Sequence, residues 1–177
     1  MRQTKVEGTI EGRAFVYGRN IDTDQIYPGR FLELTEERDM ARHAMEGADP
    51  YFIREFSRGD LIVASTNFGC GSSREHAAIT LKAIGVGAVL AKSFGRIFYR
   101  NAVNLGLPVL VCPGVGASVE PQDVLSVDLE SGTVLNRTSG VLLQAQPLSD
   151  YPMEILRHGG IKALLRRTLK HSEKDSL

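Results

Sequence analysis

Three apolar runs, each separated from the next by a stretch of helical periodicity, limit what the middle of this chain can fold into. Asp60-Leu61-Ile62-Val63-Ala64-Ser65 reads as one buried strand, Gly87-Ala88-Val89-Leu90-Ala91 as a second and Leu107-Pro108-Val109-Leu110-Val111 as a third. Between them, residues 74–84 place Ala77, Ala78, Leu81 and Ile84 on one helical face, and residues 97–105 form a second helix. Strand, helix, strand, helix, strand implies parallel strands joined by crossover helices, hence an α/β fold. With 177 residues and 19.4 kDa the chain fits one domain. No linker or repeat divides it, so 1–177 is expected to be a single domain with a frayed tail over about 170–177.

The flanks read differently. Residues 6–17 alternate as a short hairpin broken by Gly8 and Gly12. Residues 18–29 are polar and irregular, a long loop of the kind that carries function. Thr35, followed by Glu36, Glu37 and Arg38, opens a helix expected to end near Gly47, and Asp49-Pro50 restarts the chain into another short helix or turn. Residues 123–146 change to short strands divided at Ser131-Gly132 and Ser139-Gly140, a meander. A last helix over about 153–169 is kinked or divided at Gly159-Gly160.

Composition removes several function classes. Lys plus Arg and Asp plus Glu each number 21, so there is no global charge to attract nucleic acid or an acidic membrane. The N-terminus lacks a secretory apolar segment, and no apolar run approaches the roughly 20 residues of a membrane span. A reducing, cytoplasmic compartment is the expectation. The two cysteines, Cys70 and Cys112, are too few for a disulfide scaffold, a four-cysteine zinc site or an iron–sulfur cluster. No metal site is expected on this chain.

The sharpest local pattern is Gly69-Cys70-Gly71-Ser72-Ser73-Arg74-Glu75-His76, between the first strand and its helix. Free N–H groups there, glycines that let the backbone approach a ligand and the planar fork of Arg74 together suit a small carboxylate or phosphate. The dinucleotide pattern fails because Arg74 stands at its third glycine, and no Gly-Lys-Ser/Thr follows for a phosphate loop. A structural reading competes, since Ser72-Ser73-Arg74-Glu75 also matches a capping box with Ser72 as N-cap. Cys70 reads as a small loop residue rather than a nucleophile. A serine oxygen beside an arginine at a helix N-terminus is also where an alkoxide is least disfavoured, so the two readings are compatible.

The segment 69–78, with Lys92-Ser93-Phe94-Gly95-Arg96-Ile97 and the upstream Asn20-Ile21-Asp22-Thr23-Asp24-Gln25-Ile26-Tyr27-Pro28-Gly29-Arg30-Phe31-Leu32, closely resembles the swivelling domain of the aconitase superfamily. Order, spacing and length are similar to the separate small subunits of the 3-isopropylmalate dehydratase and homoaconitase type. The resemblance runs from about Gly18 through Val111 and more loosely beyond. It implies a three-layer β/β/α swivelling domain instead of a doubly wound sheet. It also implies a cluster-bearing large partner subunit, in a heterodimer or higher hetero-oligomer, whose [4Fe–4S] cluster acts as Lewis acid on a malate-type substrate. No cofactor is then expected on this chain, and self-association is expected when it is isolated.

By the same resemblance Ser72 matches the catalytic serine that takes a proton from carbon. Ser73 and Arg74 match residues that hold substrate carboxylate, and Asp24 matches an active-site aspartate orienting a histidine of the large subunit. Arg30 sits where a second carboxylate-binding arginine is placed. Asp22 is expected to make a local loop contact, since with Asp24 it fails the calcium-loop pattern. His76 is expected to be structural, His43, His158 and His171 ordinary surface residues, and Arg96 and Arg100 parts of a solvated helix face. The segment Phe31-Leu32-Glu33-Leu34-Thr35 lies where the family distinguishes one malate from another and departs from both the Tyr-Leu-Arg-Thr and Tyr-Leu-Val forms. Phe31, Leu32 and Leu34 suit an alkyl group, and Glu33 would repel an extra carboxylate. The expected reaction is therefore the interconversion of 2- and 3-isopropylmalate in leucine biosynthesis, competent only with the partner. A homoaconitase or a dimethylmalate- or methylmalate-type dehydratase, and a non-catalytic anion-binding module, stand as alternatives.

Overall fold

A computed structural model describes residues 8–174. Among the described residues seven strands, β1 (Thr9–Tyr17), β2 (Leu61–Ala64), β3 (Val89–Ala91), β4 (Val109–Val111), β5 (Val124–Asp128), β6 (Thr133–Asn136) and β7 (Leu142–Gln144), form one sheet in the order β4-β3-β2-β1-β5-β6-β7. β2, β3 and β4 run parallel, as the alternating strand–helix pattern requires, the second half of β1 joins them parallel to β2, and β5 to β7 form the expected antiparallel meander. The helices are α1 (Thr23–Ile26), α2 (Glu37–Ala41), α3 (Phe52–Glu55), α4 (His76–Ile84), α5 (Arg96–Leu105), α6 (Val115–Ser118), α7 (Asp150–Arg157) and α8 (Ile161–Lys174).

Every residue of β2 and β3 is buried, because both faces of the parallel half are covered. On one face Ile62, Ala64, Val89 and Ala91 pack against Ala77, Ala78 and Leu81 of α4 and Phe98 and Ala102 of α5. On the other, Leu61, Val63 and Leu90 share a cluster with Leu125, Val127 and Val134, so the meander curls over the parallel strands. Helices, parallel strands and meander make the three layers of an α/β swivelling domain, the fold class the sequence led us to expect. Lys82 of α4 donates to the Gly106 carbonyl at 2.6 Å, supplying a cation to the C-terminus of α5; burial lowers its pKa.

Two local expectations are corrected and a third is met. The hairpin over residues 6–17 is one strand across its described part: Thr9 to Arg13 pair antiparallel with β5, and Ala14 to Tyr17 pair parallel with β2. Gly12 marks a close approach instead of a turn, since a Cβ there would drive into the Gly59 carbonyl. The helix expected from Thr35 to Gly47 keeps only Glu37–Ala41; Glu36 makes no side-chain cap, and residues 42–48 are turns. The last helix is divided at Gly159-Gly160, as expected, into α7 and α8. α8 continues to Lys174, past the start of the expected frayed tail at 170, and residues 175–177 lie outside the described residues.

The start of β2 is pinned to β1 by charge. Asp60, 7% exposed at its side chain, accepts from the Arg13 guanidinium at 2.6 Å, from the Arg13 backbone N–H at 3.0 Å and from Ser57 N–H at 2.9 Å. Burial alone would raise its pKa, but the bonds to Arg13 and Ser57 outweigh that and hold the carboxyl below its ordinary value. A depressed folded pKa stabilises fully above the unfolded value of about 4 and is lost as pH falls through the folded value. Asp60→Asn is therefore expected to cost about 2–3 kcal/mol at pH 7 and to flatten the acid limb. Thermal unfolding of both proteins between pH 7 and pH 2 should show the two stability curves converging in acid.

Candidate active site

Parallel pairing aligns Tyr17 with Ala64 and Ala64 with Ala91, so the loops leaving β1, β2 and β3 emerge side by side. Backbone bonds then stitch them together. Gly69 N–H donates to Ile21 O at 2.7 Å and Thr23 N–H to Cys70 O at 2.8 Å, while Phe68 N–H reaches Ser93 O at 3.1 Å and Gly95 N–H reaches Phe68 O at 2.8 Å. The Asn67 side chain bonds Asn20 Oδ1 at 3.1 Å, with both residues left-handed at φ 64° and 56°. Gly69 is required by packing: its φ is +77°, and a Cβ there would enter the Phe98 ring. That glycine faces the core, not a ligand.

The loop after β1 contains a helix the sequence reading left as irregular. Asp22 caps α1 by accepting from Gln25 N–H at 2.8 Å, and the Gln25 side chain accepts from Asp22 N–H at 3.0 Å. Asp22 thus makes the local contact expected of it, and a capping box stands here. Residues 72–75 form none: α4 begins at His76, its N-cap residue Glu75 has helical φ/ψ, and no side chain caps it. The capping box expected at Ser72–Glu75 is overturned, because Arg74 N–H turns back to Ser72 O at 2.8 Å and the helix starts later.

α1 brings Asp24 to Arg74. Asp24 Oδ1 accepts from Arg74 Nη1 at 3.0 Å and from Gly29 N–H at 2.8 Å, and its Oδ2 makes no hydrogen bond among the described residues. The pair is only partly shielded, with side chains 66% and 33% exposed, so it contributes about 0–1 kcal/mol to stability. Its role is placement. Ser72 and Ser73 are exposed beside it, and Thr23 Oγ1 donates to Ser72 O at 3.3 Å. Neither serine hydroxyl has a protein hydrogen bond among the described residues. The turn therefore presents two hydroxyls, a guanidinium and a half-free carboxylate on one open surface.

Arg30 has partners other than that pair. Its guanidinium bonds Glu46 and lies 4.6 Å over the Phe31 ring. Leu32 and Leu34 are half-buried, and Glu33 is exposed. His43, read from sequence as an ordinary surface residue, is only 27% exposed; it stacks on Phe31 with ring centroids 3.6 Å apart and bonds Glu46 at 2.6 Å. Neither His43 nor Glu46 belongs to a recognisable motif, and only their spacing of three on one turn of chain hinted at a pair. Burial outweighed by the His43 and Arg30 bonds holds the Glu46 carboxyl below its ordinary value.

His76 is half-buried and stacks on Tyr27 at 6.0 Å, a packing role, with its Nδ1 unpartnered. Arg96 and Arg100 are exposed on α5, and His158, half-buried at the end of α7, bonds the Glu154 carbonyl through Nδ1 at 2.8 Å; the His171 side chain lies outside the described residues. Burial, then the Asp22 carboxylate, push the Cys70 thiol up, which favours the thiol over a nucleophilic thiolate. Cys112 is buried in the core, pushed up by burial to about 11. No three His, Cys, Asp or Glu side chains converge on a metal-binding geometry among the described residues, and no described helix is long and apolar enough to cross a membrane.

Residues 39–113 match the aconitase C-terminal domain family. The chain is 54% identical to 3-isopropylmalate dehydratase small subunit 1 of Methanopyrus kandleri over 89% of its own length and 93% of that protein. It is 47% identical to the methanogen homoaconitase small subunit of Methanothermobacter thermautotrophicus over 88% of its length and 90% of that protein. The crystal structure of 3-isopropylmalate dehydratase from Methanocaldococcus jannaschii superposes with a TM-score of 0.87 at 40% identity, covering 94% of this chain and 99% of that one.

The seam between the loops gives a direct expectation. Gly69→Ala combines a left-handed residue with a clash against Phe98 and should cost about 2–4 kcal/mol. Urea unfolding should show a lower midpoint with an unchanged slope.

Proposed function

The chain belongs to the small subunits of the aconitase-family dehydratases, and from that premise we propose that it completes the active site of a hydro-lyase interconverting 2-isopropylmalate and 3-isopropylmalate. In this reading it is inactive alone and acts in the cytoplasm, docked on a large subunit that carries a [4Fe–4S] cluster. The Lewis-acid chemistry that helps the hydroxyl leave then resides on the partner. Two cysteines, one in the loop after β2 and one buried in the core after β4, supply too few thiolates to fit a cluster on this chain.

The observation that carries the reading is the Ser72–Arg74 turn held against Asp24 by α1 and Gly29. Ser72 is proposed as the base that takes the proton from carbon as the hydroxyl departs from the neighbouring carbon, and returns it on rehydration. Its oxygen, without a hydrogen-bond partner among the described residues, stands two residues from Arg74, whose positive charge favours the deprotonated form. Arg74 and Ser73 are proposed to hold a substrate carboxylate. Arg74 spends Nη1 on Asp24, which leaves other N–H donors of its fork for a ligand. Asp24 Oδ2 is open toward the partner, where it can orient a histidine of the large subunit. The residues read as catalytic are exposed on this chain, so the dry, low-dielectric site needed for such chemistry forms only when the partner covers them. In the same reading the uncovered face is the surface through which the isolated subunit self-associates.

The likeness to a homoaconitase subunit favours a second reading in which the substrate carries one more carboxylate. Arg30 weighs against it, because Glu46 engages that guanidinium in this chain. Phe31, Leu32 and Leu34 offer an apolar lining, and the exposed Glu33 adds negative charge nearby.

Two measurements on the reconstituted two-subunit complex test the proposal. Ser72→Ala is expected to lower kcat by about 10²–10⁴-fold with assembly intact. Arg74→Lys should be severely impaired as well, since lysine keeps the charge but not the fork. Near-normal turnover by Ser72→Ala would leave only an anion-binding role. Comparing kcat/KM for isopropylmalate, dimethylmalate, citrate and homocitrate should rank isopropylmalate first, and preference for a tricarboxylate would favour the homoaconitase reading.

A further inference from the structure

We infer that Glu46, assisted by His43, is a positioning residue for the recognition loop, fixing Arg30 and Phe31 relative to the Asp24–Arg74 pair. The inference rests on the reading of Arg30 and Phe31 as substrate-facing.

The geometry is a closed cycle of contacts. The Phe31 ring stacks on the His43 imidazole, 3.6 Å away by centroids and 16° from parallel, and the Arg30 guanidinium lies 4.6 Å from the same ring centre. One carboxylate closes it, with Glu46 Oε1 on Arg30 Nη2 and Oε2 on His43 Nδ1 at 2.6 Å. Phe31 is held further by its carbonyl, which accepts from Tyr27 Oη at 2.6 Å. A half-buried Glu46 joined to two neighbours is well placed to keep a flexible arginine in one rotamer, an entropic saving realised before substrate arrives.

The clamp is registered to the catalytic turn through α1. Met45 N–H donates to Ile26 O at 2.7 Å and Ala48 N–H to Gln25 O at 3.1 Å, so the segment bearing Glu46 is tied to the helix that carries Asp24. Met45 sits fully buried at φ +59°, a left-handed conformation held there by its surroundings and placing Glu46 next in the chain. The short helical turn Gly29–Phe31 spans the two charged groups, its first N–H on Asp24 and its next side chain on Glu46.

The test uses the two-subunit complex and the isolated small subunit. Glu46→Gln keeps the shape and loses the charge; it is expected to raise KM for isopropylmalate about 10-fold with kcat within about 2-fold. Glu46→Asp, which restores the charge, should recover most of that loss, and His43→Phe, which keeps the stacked ring, should show a smaller rise. Amide exchange over residues 27–34 of the isolated subunit should quicken at least about 5-fold in Glu46→Gln, with the melting temperature nearly unchanged. Unchanged KM, a loss in kcat alone, a markedly lower melting temperature, or unaltered exchange would each overturn the inference. A wild-type complex inactive on all four acids would instead defeat the functional reading, and exchange over residues 27–34 would then decide the clamp by itself.

Discussion

Parallel pairing of β1, β2 and β3 is the constraint on which the candidate site depends. Side-by-side pairing of Tyr17, Ala64 and Ala91 means that three chain segments distant in sequence leave the sheet at adjacent points. The backbone bonds of Ile21, Thr23, Phe68, Gly69, Cys70, Ser93 and Gly95 continue that alignment beyond the strands, as if the sheet extended a few residues into its loops. Rigid backbone contacts of this kind resist solvent exchange and salt in a way that an exposed ion pair does not. The Asp24–Arg74 pair can therefore be weak in stability terms and still well placed, because the loops bearing it are fixed by other bonds.

The same arrangement explains why the chain looks half-finished. Its buried residues satisfy the core on both faces of the parallel strands, whereas Ser72, Ser73 and most of Asp24 face outward. An exposed serine gains little basicity from one guanidinium in water, where charge–charge energies are about 1 kcal/mol at contact. Covering the turn would multiply the effect of Arg74 on Ser72 without moving either residue. Division of an active site between two subunits thus separates placement, which this fold supplies, from exclusion of water, which in the proposed reading the partner supplies.

Legibility in the sequence followed the range of the forces involved. The parallel core was readable because burial on both faces leaves continuous apolar runs such as Leu61 to Ala64, and the split of the last helix because Gly159-Gly160 interrupts a helical pattern. The β1 hairpin was misread because Gly12 serves a contact 47 residues away, with Gly59, that no local pattern records. The competing capping-box reading failed on local geometry: Asp22-Thr23-Asp24-Gln25 and Ser72-Ser73-Arg74-Glu75 both fit the motif, but Arg74 N–H turns back to Ser72 O and the second helix starts only at His76. In the site, the Ser72–Arg74 turn and Asp24 stood out by motif. His43 and Glu46 did not, since aromatic stacking and a shared carboxylate arise from side chains that meet across a turn and leave no period in the sequence.

Charge balance around the recognition loop gives the substrate argument its physical form. A third carboxylate on a substrate needs an unengaged cation, because desolvating a carboxylate without one is costly. In this loop the positive charge of Arg30 is already met by Glu46, which the His43 and Arg30 bonds keep ionised well into acid. Adding exposed Glu33 makes the surroundings negative on balance, while Phe31, Leu32 and Leu34 contribute apolar surface that an alkyl group can cover. A branched alkyl substituent gains from such a lining about 0.8 kcal/mol per buried carbon and meets no charge penalty. An extra carboxylate at the same place would have to displace Glu46 from Arg30 and lie near Glu33, exchanging one ion pair for another while adding repulsion. The same clamp that orders the loop thereby supports the choice of an alkyl acid over a tricarboxylate.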